Sequence, residues 1–416
     1  MKRAHVIGAG LAGLSAAVRL TQAGYRVILS EAGPQAGGRC RSYLDPQLGL
    51  TIDNGNHLVL SGNRAVHAYL AVIGASDQLT GPGEARFPFV DLRGGARWTL
   101  RPNAGPLPWW VLLRARRVPG TAPRDYLALR RLLGADRDRT IADLIPTHGA
   151  LWEKLLEPLL VAVLNTPPAR GSAKLAGAVV AETLAKGGRA CMPRVATPTL
   201  GAAFVDPALA WLKANGAEIR TVRRLRQLVE MSASVVALGF ADGNELLGPG
   251  EPVVLAVPSW SAAELLPGLS VPTEHHAIVN AHFRVTPPPG AEPIVGLIGG
   301  TAEWAFAFPD RISTTTSAAD RLDGADREDL ARTIWAEVAQ VYGLDGPMPH
   351  WQIVRERRAT FSATPAQDRL RPGTATRLAN LWLAGDWTQT GLPATIEGAI
   401  RSGKTAATMA SGDVPA

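Results

Sequence analysis

Apolar and polar positions along the chain follow two different periods. Near the N-terminus a short apolar run, His5-Val6-Ile7, leads into small residues at helical spacing through Ser15, Ala16, Ala17 and Leu20. A second apolar run follows from Tyr25 to Leu29. The outer pieces predict buried strands and the middle one a helix that Gly24 closes. Val253 to Pro258 and Leu381 to Ala384 read as further buried strands, the latter ending in Gly385-Asp386, and a helix carrying Glu397, Gly398, Ser402 and Gly403 follows. Residues 121–190 read mainly as helix, with apolar periodicity through Tyr126, Leu127 and Leu129 and again through Leu151, Trp152, Leu155, Leu156 and Leu159. Pro287-Pro288-Pro289-Gly290 marks a turn between strand-like runs around Phe283 and Ile294. No segment repeats another, and no uncharged apolar run approaches the ~20 residues that a bilayer crossing needs.

The first strand-helix-strand unit carries Gly8-Ala9-Gly10-Leu11-Ala12-Gly13 at its turn and Glu31 at the end of its second strand. Each position has a physical reason. Gly8 permits the tight turn, Gly10 lets backbone approach a pyrophosphate, and Gly13 allows helix and strand to pack closely. The first helical turn, including Leu11 and Ala12, offers free N–H groups and the positive dipole end to phosphate, while Glu31 can accept from a ribose diol. The rival reading is a small-residue helix packed on a sheet; strand, helix and distal acid together favour dinucleotide binding. FAD rather than NAD is indicated further on. Gly37-Gly38-Arg39 supplies paired glycines beside a guanidinium, a second clamp on pyrophosphate or ribityl chain. Asp386 at a strand's carboxyl end can reach ribityl hydroxyls, with Gly385 leaving room. Pro393 fits the first turn of a helix whose dipole would face whatever sits in front of it, and the N1–C2=O edge of a flavin ring is a suitable target.

These segments resemble the FAD-dependent superfamily of amine oxidases, phytoene desaturases and protoporphyrinogen oxidases, and within it the hydroxysqualene dehydroxylases of bacterial hopanoid pathways. The narrower resemblance rests on Asp53-Asn54-Gly55-Asn56-His57, on Leu164-Asn165-Thr166-Pro167-Pro168, and on Met192-Pro193-Arg194 ahead of Phe204-Val205-Asp206-Pro207. It implies an α/β fold in which a Rossmann-like FAD-binding domain is interleaved with an α+β substrate domain bearing a helical, membrane-facing part. The expected division is 1–80, 200–265 and 375–416 for the FAD-binding domain and 81–199 with 266–374 for the substrate domain. It also implies Arg39 as the clamp, Glu31 for the adenosine ribose, Leu225 for a backbone contact to adenine, Asp386 for the ribityl chain, and Ala394 with Thr395 for the pyrimidine edge of the flavin ring.

The length of 416 residues suits two or three domains. Two cysteines, Cys40 and Cys191, cannot build a disulfide framework, so a reducing, cytoplasmic compartment is expected. The net charge of +7 raises nucleic acid or an anionic membrane as a partner. Residues 93–139 hold eleven arginines against three aspartates, a local +8 that accounts for the whole excess. There Pro106-Leu107-Pro108-Trp109-Trp110-Val111-Leu112-Leu113 precedes Arg114, Arg116 and Arg117, the pattern of a segment lying in anionic headgroups on the inner face of the cell membrane. The rival is a core helix with a solvated Arg edge. Nucleic acid fits poorly, since no recognition module is present.

The resemblance implies reductive dehydroxylation of hydroxysqualene to squalene. Such chemistry needs an acid for the leaving hydroxyl, an apolar path for the isoprenoid, and an external electron donor. His57 is the candidate acid, as an imidazole titrating near neutral pH; its rival role is a backbone hydrogen bond in a glycine-rich turn. Metal is not expected, because His275-His276 lack any ligand spacing. Cys40, beside the clamp, reads as close packing rather than covalent flavin attachment. Oxidative desaturation of a carotenoid precursor, amine oxidation, and non-enzymatic carriage of a prenyl lipid remain alternatives.

Overall fold

The computed structural model describes residues 2–412. Five strands form a wholly parallel sheet in the order Glu218–Arg220, Arg26–Ser30, Arg3–Ile7, Val253–Leu255 and Leu381–Leu383. The strands Val253–Leu255 and Leu381–Leu383 are wholly apolar, in keeping with burial on both faces, whereas the partly buried edge strand Glu218–Arg220 carries two charges. The register aligns Ile7 with Ser30 and Leu255, and Leu255 with Leu383. All of these strands therefore end at one edge, where Gly8, Glu31, Ala256 and Gly385-Asp386 emerge together. Clefts at the carboxyl edge of such a sheet are where ligands bind.

Two helices cover one face. The first, Leu11–Gln22, lies against the last, Ile396–Ser411, and Ser15 Oγ donates to the Ile400 carbonyl at 2.9 Å. Close approach depends on glycine: a Cβ on Gly403 would stand 2.0 Å from the Ala12 carbonyl oxygen.

The second sheet is mixed and seven-stranded, in the order Trp351–Phe361, His275–Phe283, Arg311–Thr316, Trp304–Phe308, Ile294–Ile298, Phe87–Asp91 and Arg97–Leu100. The expected strands around Phe283 and Ile294 exist but are not neighbours. One face buries Val279, Ala281 and Phe283 against Leu330, Ile334 and Val338 of the helix Arg327–Tyr342. The opposite face is polar between two strands, where His282 meets Ser313 at 2.8 Å and Thr315 Oγ1 donates to Asn280 Oδ1 at 2.8 Å, and apolar farther along, where Ile294, Trp304 and Phe306 enter the larger core.

Residues 121–190 depart from the helical reading. Only Glu157–Leu164 and Ala173–Glu182 are α-helix; Pro123–Leu132 is a 3₁₀ run, and Trp152–Leu156 forms a π-helical turn. Pro123, Pro146, Pro158, Pro167 and Pro168 explain the fragmentation, because each lacks the N–H that a continuing helix would donate.

Candidate flavin site

The glycine turn is built as the spacing predicts. Gly8 adopts φ +102°, and a Cβ there would lie 2.5 Å from the Ala256 carbonyl oxygen. A Cβ on Gly13 would stand 1.8 Å from the Gly8 oxygen. Gly10 differs, since nothing among the described residues lies within 4 Å of where its Cβ would be. That open space faces the first helical turn, whose Leu11, Ala12 and Gly13 are at a helix start with no intrahelical acceptors. Gly38, at φ +56°, brings its Cβ position 3.3 Å from Gly10 Cα. Sequence-distant backbone thus lines a single open cradle.

Glu31 closes the cradle: its carboxylate accepts from the Ala9 and Gly33 N–H groups, each at 2.7 Å. The segment leading to Leu225 runs beside it, with Val222 N donating to Gly33 O at 3.0 Å and Arg223 N to Glu31 O at 2.8 Å. The Leu225 side chain is buried in the apolar core.

Arg39 and Asp386 contact each other. Arg39 Nη2 lies 2.7 Å from Asp386 Oδ2, while Nη1 donates to the Ala359 carbonyl at 2.5 Å. Gly385 is not vacant space for a cofactor, as the sequence reading assumed. A Cβ there would come 2.3 Å from Trp387 Nε1, which donates to the Val257 carbonyl at 2.9 Å. The indole is thereby a packing element rather than a wall of an aromatic cage. Pro393 is likewise not in the first helical turn. Thr395 is the cap, its hydroxyl accepting from Gly398 N at 3.0 Å, so the helix starts at Ile396 and Pro393 lies buried two residues before the cap. Ala394 and Thr395 are partly exposed at that end.

His57 sits on the loop Asp53–His57, within electrostatic reach of both Arg39 and Asp386. Burial, reinforced by the Arg39 charge, pushes its imidazole down to about 4. The expectation of a near-neutral titration is therefore corrected: at pH 7 the ring is uncharged and carries one N–H. Asn280 keys the loop from the second sheet, accepting from Asn56 N at 3.3 Å and donating to Asn54 O at 3.4 Å. Asp53 accepts from Ser42 Oγ at 2.5 Å and Leu200 N at 2.9 Å.

His275, which the sequence brings forward only as a discounted metal ligand, lies within electrostatic reach of the same pair. Its Nε2 lies 3.3 Å from Ser259 Oγ, its ring stands edge-on to Trp260 at 5.2 Å, and Arg39 and Asp386 both act on it. Burial, with Arg358 and Arg39 beside it, holds this imidazole below its ordinary value too. No local spacing signals it, because its partners come from four separate segments. Cys40 is buried with its thiol pushed up to about 12, which keeps it protonated and unreactive.

Residues 11–410 match the family model of the flavin containing amine oxidoreductases. The chain is 54% identical, over 98% of both chains, to a hydroxysqualene dehydroxylase from Rhodopseudomonas palustris. It is 25% identical, over 97% of this chain and 98% of the other, to a probable zeta-carotene desaturase from Synechococcus elongatus. Among solved structures, putrescine oxidase bound to putrescine superposes with a TM-score of 0.70 at 15% identity, covering 98% of each chain. The open space at Gly10, the helix start beside it and the paired Arg39 and Asp386 are chemically suited to FAD, the flavin dinucleotide of this family. The chain belongs to the flavin containing amine oxidoreductase family and, within it, stands with the hydroxysqualene dehydroxylases.

Proposed function

We propose that the protein removes the hydroxyl of hydroxysqualene reductively, yielding squalene and water with FAD as cofactor. The observation that carries this is the 54% identity, spanning 98% of both chains, to a protein named for that reaction. The geometry supports it in one further respect. One hydrophobic core cluster contains Trp110, Tyr126 and Leu132 of the basic segment together with Trp152, Phe361 and Trp387, the neighbour of Asp386, and Ala394 packs against it. Apolar side chains thus border the Asp386 region, which suits an isoprenoid.

Bound and reduced, FAD supplies the hydride that this reaction consumes. The chain's own groups do the rest. The Gly10 cradle and the first helical turn would hold diphosphate, Glu31 the adenosine ribose, and the Leu225 backbone would meet the adenine. Arg39 and Asp386 would hold the ribityl chain, and Ala394 with Thr395 the pyrimidine edge of the ring. His57 would offer its N–H as a hydrogen bond to the departing oxygen, the proton that completes water being the second of the two taken up per turnover, and the apolar side chains would exclude bulk water. Each turnover takes two electrons and two protons, so an external reductant is a required partner.

Membrane contact by the basic segment completes the reading. Leu107, Leu112 and Leu127 are 78%, 66% and 57% exposed, with Trp109 and Leu113 beside them and Arg114 and Arg130 among them. Six exposed large apolar side chains, counting Leu133, fall within residues 107–133. Such a patch beside guanidinium groups suits an anionic leaflet. Trp110 is not part of it: the ring is buried, edge-on to Tyr126 at 5.1 Å. Among the described residues no helix is long and apolar enough to cross a membrane.

The deciding experiment mixes photoreduced enzyme with hydroxysqualene without oxygen. Squalene formation with matching flavin reoxidation is expected; neither appearing would reject the proposal. Oxidised enzyme turning over a carotenoid precursor instead would establish the desaturase alternative.

A further inference from the structure

Arg371 is the largest fully buried side chain of the protein, at 2% exposure, and lies outside every motif that the sequence brings forward. Taking a guanidinium out of water is costly, so its partners matter. Nη1 donates to Asp368 Oδ1 at 3.0 Å. Nη2 donates to the Asp386 carbonyl at 3.0 Å, to the Thr388 carbonyl, and to Thr390 Oγ1 at 2.9 Å. The same loop returns the contact, with Gln389 Nε2 donating to the Arg371 carbonyl and Gln389 N to the Pro372 carbonyl, both at 2.8 Å. The guanidinium also stacks over Phe361 with its carbon 4.8 Å from the ring centroid.

These acceptors belong to one stretch, residues 386–390, which joins the strand ending before Asp386 to the turn that leads into Thr395. That stretch has no ladder of its own to satisfy its carbonyls. The planar fork of Arg371 does so from one rigid centre, fixing three positions of the loop relative to one another. The Asp386 side chain that meets Arg39 leaves from the first of them. Asp368, the counter-charge, is held in turn by Arg137 of the basic segment, whose Nη2 donates to the Asp368 carbonyl at 2.6 Å.

We infer that Arg371 is a positioning residue for the cofactor side of the site, setting the Asp386 carboxylate against Arg39 through the backbone of residues 386–390. The inference rests on the reading that Asp386 faces bound FAD. A lysine can neutralise Asp368 but cannot span the loop acceptors, so Arg371→Lys separates charge from geometry.

The test titrates FAD into apoenzyme of the wild type and of Arg371→Lys, Thr390→Val and Asp386→Asn, recording affinity, the visible flavin spectrum and the midpoint potential. Arg371→Lys should raise the FAD dissociation constant about tenfold or more and alter the spectrum and potential, and Thr390→Val should do so about threefold. Wild-type affinity, spectrum and potential in Arg371→Lys, even with a lowered melting temperature, would reduce Arg371 to a structural role and overturn the inference. If Arg371→Lys does not fold, Thr390→Val decides alone, with wild-type behaviour again overturning it. Undisturbed FAD binding in Asp386→Asn would instead overturn the reading of the site, and the inference with it.

Discussion

Arg39 and Asp386, 347 residues apart in the chain, meet as a charged pair beside the glycine cradle. Two segments that sequence analysis assigns separately to a clamp and to a ribityl contact are thus one unit, with the Arg39 guanidinium shared between a carboxylate and the Ala359 carbonyl. Arg39→Ala removes charge-assisted hydrogen bonds worth about 1.5–3 kcal/mol each and leaves the buried Asp386 carboxylate uncompensated. The expected result is an FAD dissociation constant raised by at least about tenfold, read by flavin fluorescence after dialysis. Full cofactor occupancy in the variant would contradict the clamp.

The glycines of the turn are expected to fail in different ways. Gly13→Ala places a Cβ against the Gly8 carbonyl, where backbone must move, and the apoenzyme itself should lose several kcal/mol of stability. Gly10→Val points into open space at φ −71°, a conformation any residue adopts. Its apoenzyme should melt as the wild type does while FAD binding falls by two orders of magnitude or more, since the side chain fills the cradle. Thermal melts of apoenzyme paired with FAD titration separate the two, and parallel behaviour of the variants would refute the assignment.

How far the sequence reveals this site depends on the range of each interaction. The glycine turn and Glu31 are legible because their signals lie within one strand-turn-helix-strand unit. Leu381–Leu383 was recognisable as a buried strand from composition alone, and the structure pairs it in parallel with Val253–Leu255. Trp110 was misread as an anchor because apolar spacing does not say which of two adjacent tryptophans faces inward. The Gly385 void was misread because the indole that fills it belongs to a rotamer choice at Trp387. Arg371, His275 and Asn280 carry no local signature; each matters through partners 15 to 226 residues away. The charge of His57 is likewise set by burial and by Arg39, neither of which a neighbouring residue announces.

That burial makes a pH prediction with a definite sign. Folded His57 titrates at about 4, whereas an unfolded imidazole has its ordinary value of 6.5. Between these values the unfolded chain binds the extra proton, so the stability contribution is complete above about pH 6.5 and is lost as pH falls towards 4. His282, pushed down to about 3 by burial, adds to the same trend. His57→Gln should therefore narrow the gap between melting temperatures measured near pH 7 and near pH 4.5, while His282 keeps its share. At neutral pH His57→Leu, which has no N–H to offer the leaving hydroxyl, should retain FAD and lose about a hundredfold in kcat, as expected when a hydrogen-bond donor to a departing oxygen is removed. An unchanged pH dependence would deny the buried state of the ring, and an unchanged kcat would remove it from the chemistry.

The basic segment gives a prediction in which the structure changes which residues to replace. Trp110 and Arg117 serve the fold, the first packed on Tyr126 and the second donating to the Val111 carbonyl at 3.1 Å. Replacing them would confuse unfolding with release from a membrane. Leu107, Leu112, Leu113 and Leu127 are exposed and lie outside the core cluster, so changing all four to serine should leave melting temperature and flavin absorbance unchanged. If the segment lies in a leaflet, each leucine contributes on the order of 1.5 kcal/mol or more of transfer free energy, and the fourfold variant should no longer sediment with phosphatidylglycerol vesicles. Arg114→Gln with Arg130→Gln should weaken the same binding in proportion to added salt, because their share is electrostatic and screened. Undiminished co-sedimentation of the leucine variant would place the membrane contact elsewhere on the molecule, and a wild type that ignores anionic vesicles would leave the exposed leucines to a protein partner.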